Sequence, residues 1–153
     1  GKEAIANSFE YANPFYENHT FSIQTQQKTL TSGDRAVDAE FCAKSEPFIC
    51  IGSEWFSFSV PISGAAAPTE WSKFGHRYVL KNRREISMLG TLIDVCEIES
   101  IQSAQTFKFL YSKSKGLVAF NVEVDGKPVT FVTKGKVGFG SQKTGGSRSR
   151  SCL

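Results

Sequence analysis

One methionine, two histidines and two tryptophans stand in 153 residues, and no run approaches the roughly 18 apolar residues that a membrane-spanning helix needs. A transmembrane segment is therefore not expected. Catalytic signatures are missing too: no Gly-x-Ser-x-Gly elbow, no His-Glu-x-x-His zinc helix and no Cys-His protease pattern occurs. Only His19 and His76 could act as bases near neutral pH, and His76 alternates with apolar neighbours as a core or edge histidine would. Glu97 and Glu99 lie two apart, so on a strand they share a face, where carboxylates are ordinarily solvated. The segment Gly138 to Thr144 departs from a phosphate loop because Gln142 takes the place of the second glycine; it reads as a flexible exit from the last strand. No Cys-x2-Cys pair exists, and neither histidine stands at zinc-finger spacing. Neither an enzyme nor a metal or cofactor site is expected.

A basic face is absent as well. The net charge is +3, but Lys143, Arg148 and Arg150 lie in an acid-free tail, which leaves 15 basic against 15 acidic residues over positions 1–140. Nucleic-acid binding, which needs a basic stripe on the folded face, is not expected. Gly1 in place of Met reads as a processing or tag remnant, any leader having been removed or left out, and Asn18-His19-Thr20 matches the acceptor pattern for an N-linked glycan, a three-residue match that recurs by chance.

What is abundant is aromatic: 13 Phe and 4 Tyr join the two Trp. Rings pack well on a pleated surface and lose χ1 freedom in helices, so the composition favours β-sheet. Residues 1–18 lack a period and read as an irregular arm whose Phe9, Tyr11, Phe15 and Tyr16 dock on the body. From there short alternating segments follow one another. They run over Thr20–Lys28, Val37–Cys42, Phe48–Ile51, Trp55–Val60, Phe74–Lys81, Glu85–Leu89, Leu92–Ile98, Thr106–Ser112, Leu117–Val124 and Val129–Thr133. Thr31-Ser32-Gly33-Asp34 supplies turn chemistry, Asp125-Gly126 is a two-residue hairpin signal, Lys81-Asn82-Arg83-Arg84 a polar turn, Gly90 a bulge or bend, and Ser63 to Pro68 a small-residue hinge. This pattern predicts a mainly β fold, an antiparallel meander forming a sandwich, barrel or curved half-barrel. One short helix from Thr69 is an option, and because Ile86, Leu89, Ile93 and Cys96 also fit helical spacing, α+β is the second choice. The expected organisation is one β-rich domain over 1–140 and a Gly/Ser/Arg-rich tail over 141–153.

Cys42 and Cys50 bracket a short Pro-containing loop that a disulfide can close, with two unrelated buried thiols as the other reading. If they pair, Cys96 and Cys152 remain as the second bridge, tying the tail to the body, unless Cys152 pairs with another chain. An even cysteine count with a short-range pair points to a periplasmic or extracellular location.

The remaining candidates lie at the surface. Arg83 and Arg84 form a basic tip suited to anchoring a partner, and Trp55 and Trp71 flank the small-residue loop as core residues or exposed anchors. Trp55 is disfavoured as a buried residue if Phe56 and Phe58 point inward. The fourteen residues Phe107 to Phe120 resemble a strand-turn-strand phrase of small exported bacterial β proteins, carriers and toxin-neutralising immunity proteins among them. The resulting expectation is a non-enzymatic binding protein of the bacterial cell envelope with a protein partner, in its most concrete form an immunity-type protein that neutralises a secreted toxin. The alternative is a carrier of a lipid or other apolar ligand in a curved sheet.

Overall fold

In a computed structural model the structure describes residues 7–62, 68–124, 126–142 and 152–153. Twelve strands follow one another: β1 (Ser8–Ala12), β2 (Thr20–Gln24), β3 (Thr29–Ser32), β4 (Arg35–Phe41), β5 (Phe48–Ser53), β6 (Ser57–Pro61), β7 (Glu70–Lys73), β8 (His76–Met88), β9 (Thr91–Gln102), β10 (Gln105–Ser112), β11 (Gly116–Val124) and β12 (Lys127–Thr133). Each pairs antiparallel with its sequence neighbour, except that β6 and β7 are the two edges and β1 pairs with β12. The fold is mainly β, a meander nearly closed into a barrel, and no helix occurs among the described residues.

The alternation written in the strands sorts the rings to the inside. Phe21, Phe56, Phe58, Phe107, Phe109, Tyr111, Phe120 and Phe131 are all buried in one core with Tyr11, Tyr78 and Ile98. Phe56 meets Phe109 and Phe120 at centroid distances of 6.0 and 5.3 Å, and Phe58 meets Phe109 at 4.9 Å. Charge stays outside: Arg84 pairs with Glu97 at 2.8 Å and Arg77 with Glu70, each among solvent-exposed side chains. A second, smaller apolar cluster of Ile93, Val95 and Val118, with Ile86, Met88 and Leu110 against it, is separate from this core.

Several expected boundaries moved. Residues 8–12 are not part of an irregular arm but strand β1, because Tyr11 points into the core and its backbone finds ladders on both sides. Phe9 and Tyr11 dock as expected, whereas Phe15 and Tyr16 are 86% and 63% exposed. The turn expected at 31–34 shrinks to Gly33-Asp34, and β3 is a separate strand. The helix expected from Thr69 is strand β7, since Trp71 faces Tyr78 across the β7–β8 ladder. Lys81 to Arg84 form no turn: they lie within β8 at a bulge after Leu80, and read as polar because they stand where the long β8–β9 hairpin meets solvent. The reversal comes at Leu89-Gly90, both with positive φ (50° and 78°), so Gly90 closes a two-residue hairpin. Val124 pairs with Lys127, as a two-residue turn requires; Asp125 itself and the small residues 63–67 lie outside the described residues.

Both disulfides form. Cys42–Cys50 and Cys96–Cys152 have Cα separations of 5.1 and 5.5 Å. Tail residues 143–151 lie outside the described residues, but Cys152 and Leu153 are buried in the core. The segment to Gln142 is not a flexible exit. Gly138 N–H donates to Lys115 O, Leu117 N–H to Phe139 O and Gln142 N–H to Lys113 O, which lays this segment against the β10–β11 turn.

Candidate functional site

In a meander every second turn falls at the same end of the barrel, so the two ends gather different residues. One end holds the β2–β3, β4–β5, β8–β9 and β10–β11 turns, and the C-terminal segment closes it. Phe139 packs on Phe9 and Phe41, Tyr11 Oη donates to Leu117 O at 2.7 Å and accepts from Phe139 N at 3.0 Å, and Tyr111 Oη donates to Gly140 O at 2.6 Å. Burial raises the phenol pKa of Tyr11 well above its usual value and pushes that of Tyr111 up to about 12, so both remain hydrogen-bond donors at physiological pH.

Among the described residues no segment covers the other end. There, a pocket of about 400 Å³ has an aromatic floor of Phe21, Phe56, Phe107 and Phe131, all buried. Its rim is polar: Arg35 beyond the β3–β4 turn, Glu54 and Trp55 between β5 and β6, His76 at the start of β8, and Gln102 and Gln105 around the β9–β10 turn. The Arg35 guanidinium lies 5.9 Å from the Trp55 ring centroid, within cation–π range. Trp55 is half-buried because its neighbours Phe56 and Phe58 take the interior positions, and its ring also meets Phe21 at 5.9 Å.

Gln102 couples this pocket to the barrel's closure. Its buried carboxamide accepts from Ser57 N–H at 2.8 Å and donates to Ser57 O at 2.7 Å, so a side chain stands in for a missing neighbour strand along the edge of β6. Farther along the same edge Trp71 Nε1 donates to Ser59 O at 3.0 Å. Pro61 ends β6 without cost because its absent N–H belongs on this unpaired edge. Phe74 lies flat over Gly52, where an added Cβ would meet the ring at 3.0 Å, and Lys73 bridges to Glu46 at 3.0 Å, which lowers the Glu46 pKa.

The four surface candidates from the sequence do not converge. Trp55 lines the pocket; Trp71 is 7% exposed and stacked on Tyr78 in the seam; Arg83 and Arg84 stand exposed on β8, with Arg84 bound to Glu97. Arg35, Glu54, Gln102 and Gln105 were not singled out by sequence reasoning. Their signal was positional, since all flank turns of one parity, and it needs the correct strand count to be read. Among the described residues no group of three or more His, Cys, Asp or Glu side chains comes together as a metal-ligand set. What the arrangement offers is an apolar floor, a ring of hydrogen-bonding groups and one cation held over an indole. These features define a near-closed aromatic β-barrel with a single-ended amphipathic pocket. No known protein family, curated protein or solved structure matches the chain.

Proposed function

We propose that this chain is a non-enzymatic binding protein of an oxidising, exported compartment, and that it takes a small amphipathic ligand into the open end of the barrel, apolar part first. The observation that carries this reading is the pocket of about 400 Å³, which falls in the range of small-molecule sites and combines an aromatic floor with a few converging polar groups. It modifies the lipid-carrier expectation: the barrel interior below the pocket is filled by rings, so the ligand is compact and polar at one end rather than a long acyl chain. The two disulfides support the compartment. The test is a fluorescence titration with an anionic naphthalene dye, read through Trp55 and repeated with Arg35→Ala and with Ser103→Trp, which fills the mouth. Saturable binding weakened at least tenfold by both variants supports the reading. Binding indifferent to both ends it.

A second reading, a protein partner with toxin neutralisation as its concrete form, draws on a separate observation. The β8–β9 hairpin extends past the end of β10, since residues 91–95 pair with β8 alone; exposed Leu89 and Leu92 lie at its tip, and exposed Arg83 and Arg84 lie farther down β8, opposite Cys96 and Val95. An arm that carries exposed leucines and arginines is suited to anchoring in another protein. Charge reversal at Arg83 and Arg84 distinguishes the two readings, because it leaves dye binding intact and abolishes capture of a partner.

A further inference from the structure

The β1–β2 connection is the one turn at the open end longer than three residues, and it is tightly built. Asn13, 8% exposed, accepts from Phe15 N and Tyr16 N through Oδ1 at 2.8 and 3.1 Å and donates through Nδ2 to Thr130 O at 2.9 Å. Asn13 N–H donates to His19 O, and His19 N–H donates to Tyr16 O at 2.9 Å, closing a β-turn with Glu17 and Asn18 at its two central positions. The loop backbone is therefore fixed, yet it holds two large rings out in water: Phe15 is 86% and Tyr16 63% exposed. The same turn carries the Asn18-His19-Thr20 pattern, with Asn18 exposed, Tyr16 two residues before it, and Thr20 opening β2.

We propose that Asn18 is an N-glycan acceptor whose first sugar lies against the Tyr16 ring. The Asn18 amide nitrogen attacks the anomeric carbon of a lipid-diphosphate-linked oligosaccharide. The N–C1 bond forms, the C1–O bond breaks, the lipid diphosphate leaves with the electron pair, and one amide proton passes to a base of the transferase. Thr20 supplies the hydroxyl two residues on that the acceptor pattern demands. The disulfides fit the kind of oxidising compartment where such donors are used. The axial C–H groups of a pyranose carry partial positive charge and fit the negative face of a phenol ring, so the sugar adds to the one ring contact that Tyr16 makes with the protein, with His19 at a centroid distance of 5.4 Å.

Expression of the full chain behind a cleavable leader in cultured animal cells tests this, with intact mass and peptide mapping of both the secreted and the cell-associated protein. The expected result is a hexosamine-containing adduct on the Asn18 peptide that peptide-N-glycosidase removes, leaving Asp in place of Asn18. Asn18→Gln and Thr20→Ala should abolish it. Tyr16→Ala keeps the acceptor pattern but should lower occupancy and erase the rise in Tm of about 2 to 4 °C that one added stacking contact gives a domain of this size. An unmodified Asn18 peptide in protein whose Cys42–Cys50 bridge has formed overturns the acceptor assignment. Occupancy and Tm gain that survive Tyr16→Ala overturn the stacking.

Discussion

Replacing Gln102 should open the barrel at its seam. Leucine at this position keeps the bulk but removes both the acceptor for Ser57 N–H and the donor to Ser57 O, two backbone groups of a residue only 3% exposed. Each orphaned buried group costs about 1 to 3 kcal/mol, so the full penalty spans about 2 to 6 kcal/mol. Because Gln102 also borders the open pocket, water can reach one of the two groups, and the lower part of that range applies, about 2 to 3 kcal/mol. For a domain of this length that corresponds to a Tm lower by about 5 to 10 °C. Gln102→Glu sharpens the experiment. Its carboxylate could still accept from Ser57 N–H but would face the Ser57 carbonyl and lose solvation, so its folded pKa should rise above the unfolded value of about 4.3. Stability of that variant is then greatest below pH ~4 and falls as pH rises through the raised value, whereas Gln102→Leu shows no such slope. Urea denaturation across pH, with amide exchange at Ser57 as the local readout, measures both effects. A Gln102→Leu variant that loses less than about 0.5 kcal/mol, the scale of an ordinary surface change, would refute the claim that this carboxamide replaces a strand partner.

Tyr11→Phe should cost about 1 to 3 kcal/mol by urea denaturation, since it strands Leu117 O and Phe139 N–H in a fully buried site, and exchange should quicken first at Phe139. The raised phenol pKa values of Tyr11, Tyr78 and Tyr111 all arise mainly from burial. Their contribution is complete below the unfolded value of about 10 and is lost as pH climbs through about 12 for Tyr111, so alkaline unfolding should coincide with a cooperative burst of phenolate absorbance. The disulfides differ in reach, with sequence separations of 8 and 56. In the chain-entropy model, removing Cys42–Cys50 by paired Ala substitution costs about 2.5 kcal/mol and removing Cys96–Cys152 about 4 kcal/mol, an order that equilibrium unfolding can check. Trp71→Phe keeps the ring over Tyr78 but deletes the bond to Ser59 O, for an expected loss of about 1 kcal/mol in the same assay.

The class of fold was legible because period-two alternation survives wherever one face is buried, as in Phe107, Phe109 and Tyr111 or Phe56, Phe58 and Val60. The Cys42–Cys50 bridge was legible for a local reason, a short loop between two strand ends. The site was not. Short strands β1, β3 and β7 contribute one or two buried side chains each, too few to show a period, so they were read as arm, turn and helix. Merging or dropping a strand changes which turns share an end, so Arg35, Glu54, His76 and Gln102 could not be seen as neighbours from their spacing. Lys81 to Arg84 misled for the opposite reason: a bulge interrupts the alternation, and four polar residues in a row then look like a reversal.

Strand number links the aromatic composition to the pocket. Eight strands enclose a space that ordinary side chains fill, and diameter grows roughly with the number of strands. Twelve leave a wider interior, which here is occupied by rings meeting at 5 to 6 Å and, at one end, by a returning segment of backbone. That return is possible only through glycine. A Cβ on Gly138 would collide with the Leu117 carbonyl, and one on Gly116 with the carbonyls of Gly138 and Phe139, so two stretches of main chain are in direct contact. At the opposite end five of the six turns have only two or three residues and cannot reach across the opening, and Asn13 pins the longer sixth to β12. Among the described residues nothing lies over that width, and the pocket occurs at the end that the segment up to Gln142 does not close.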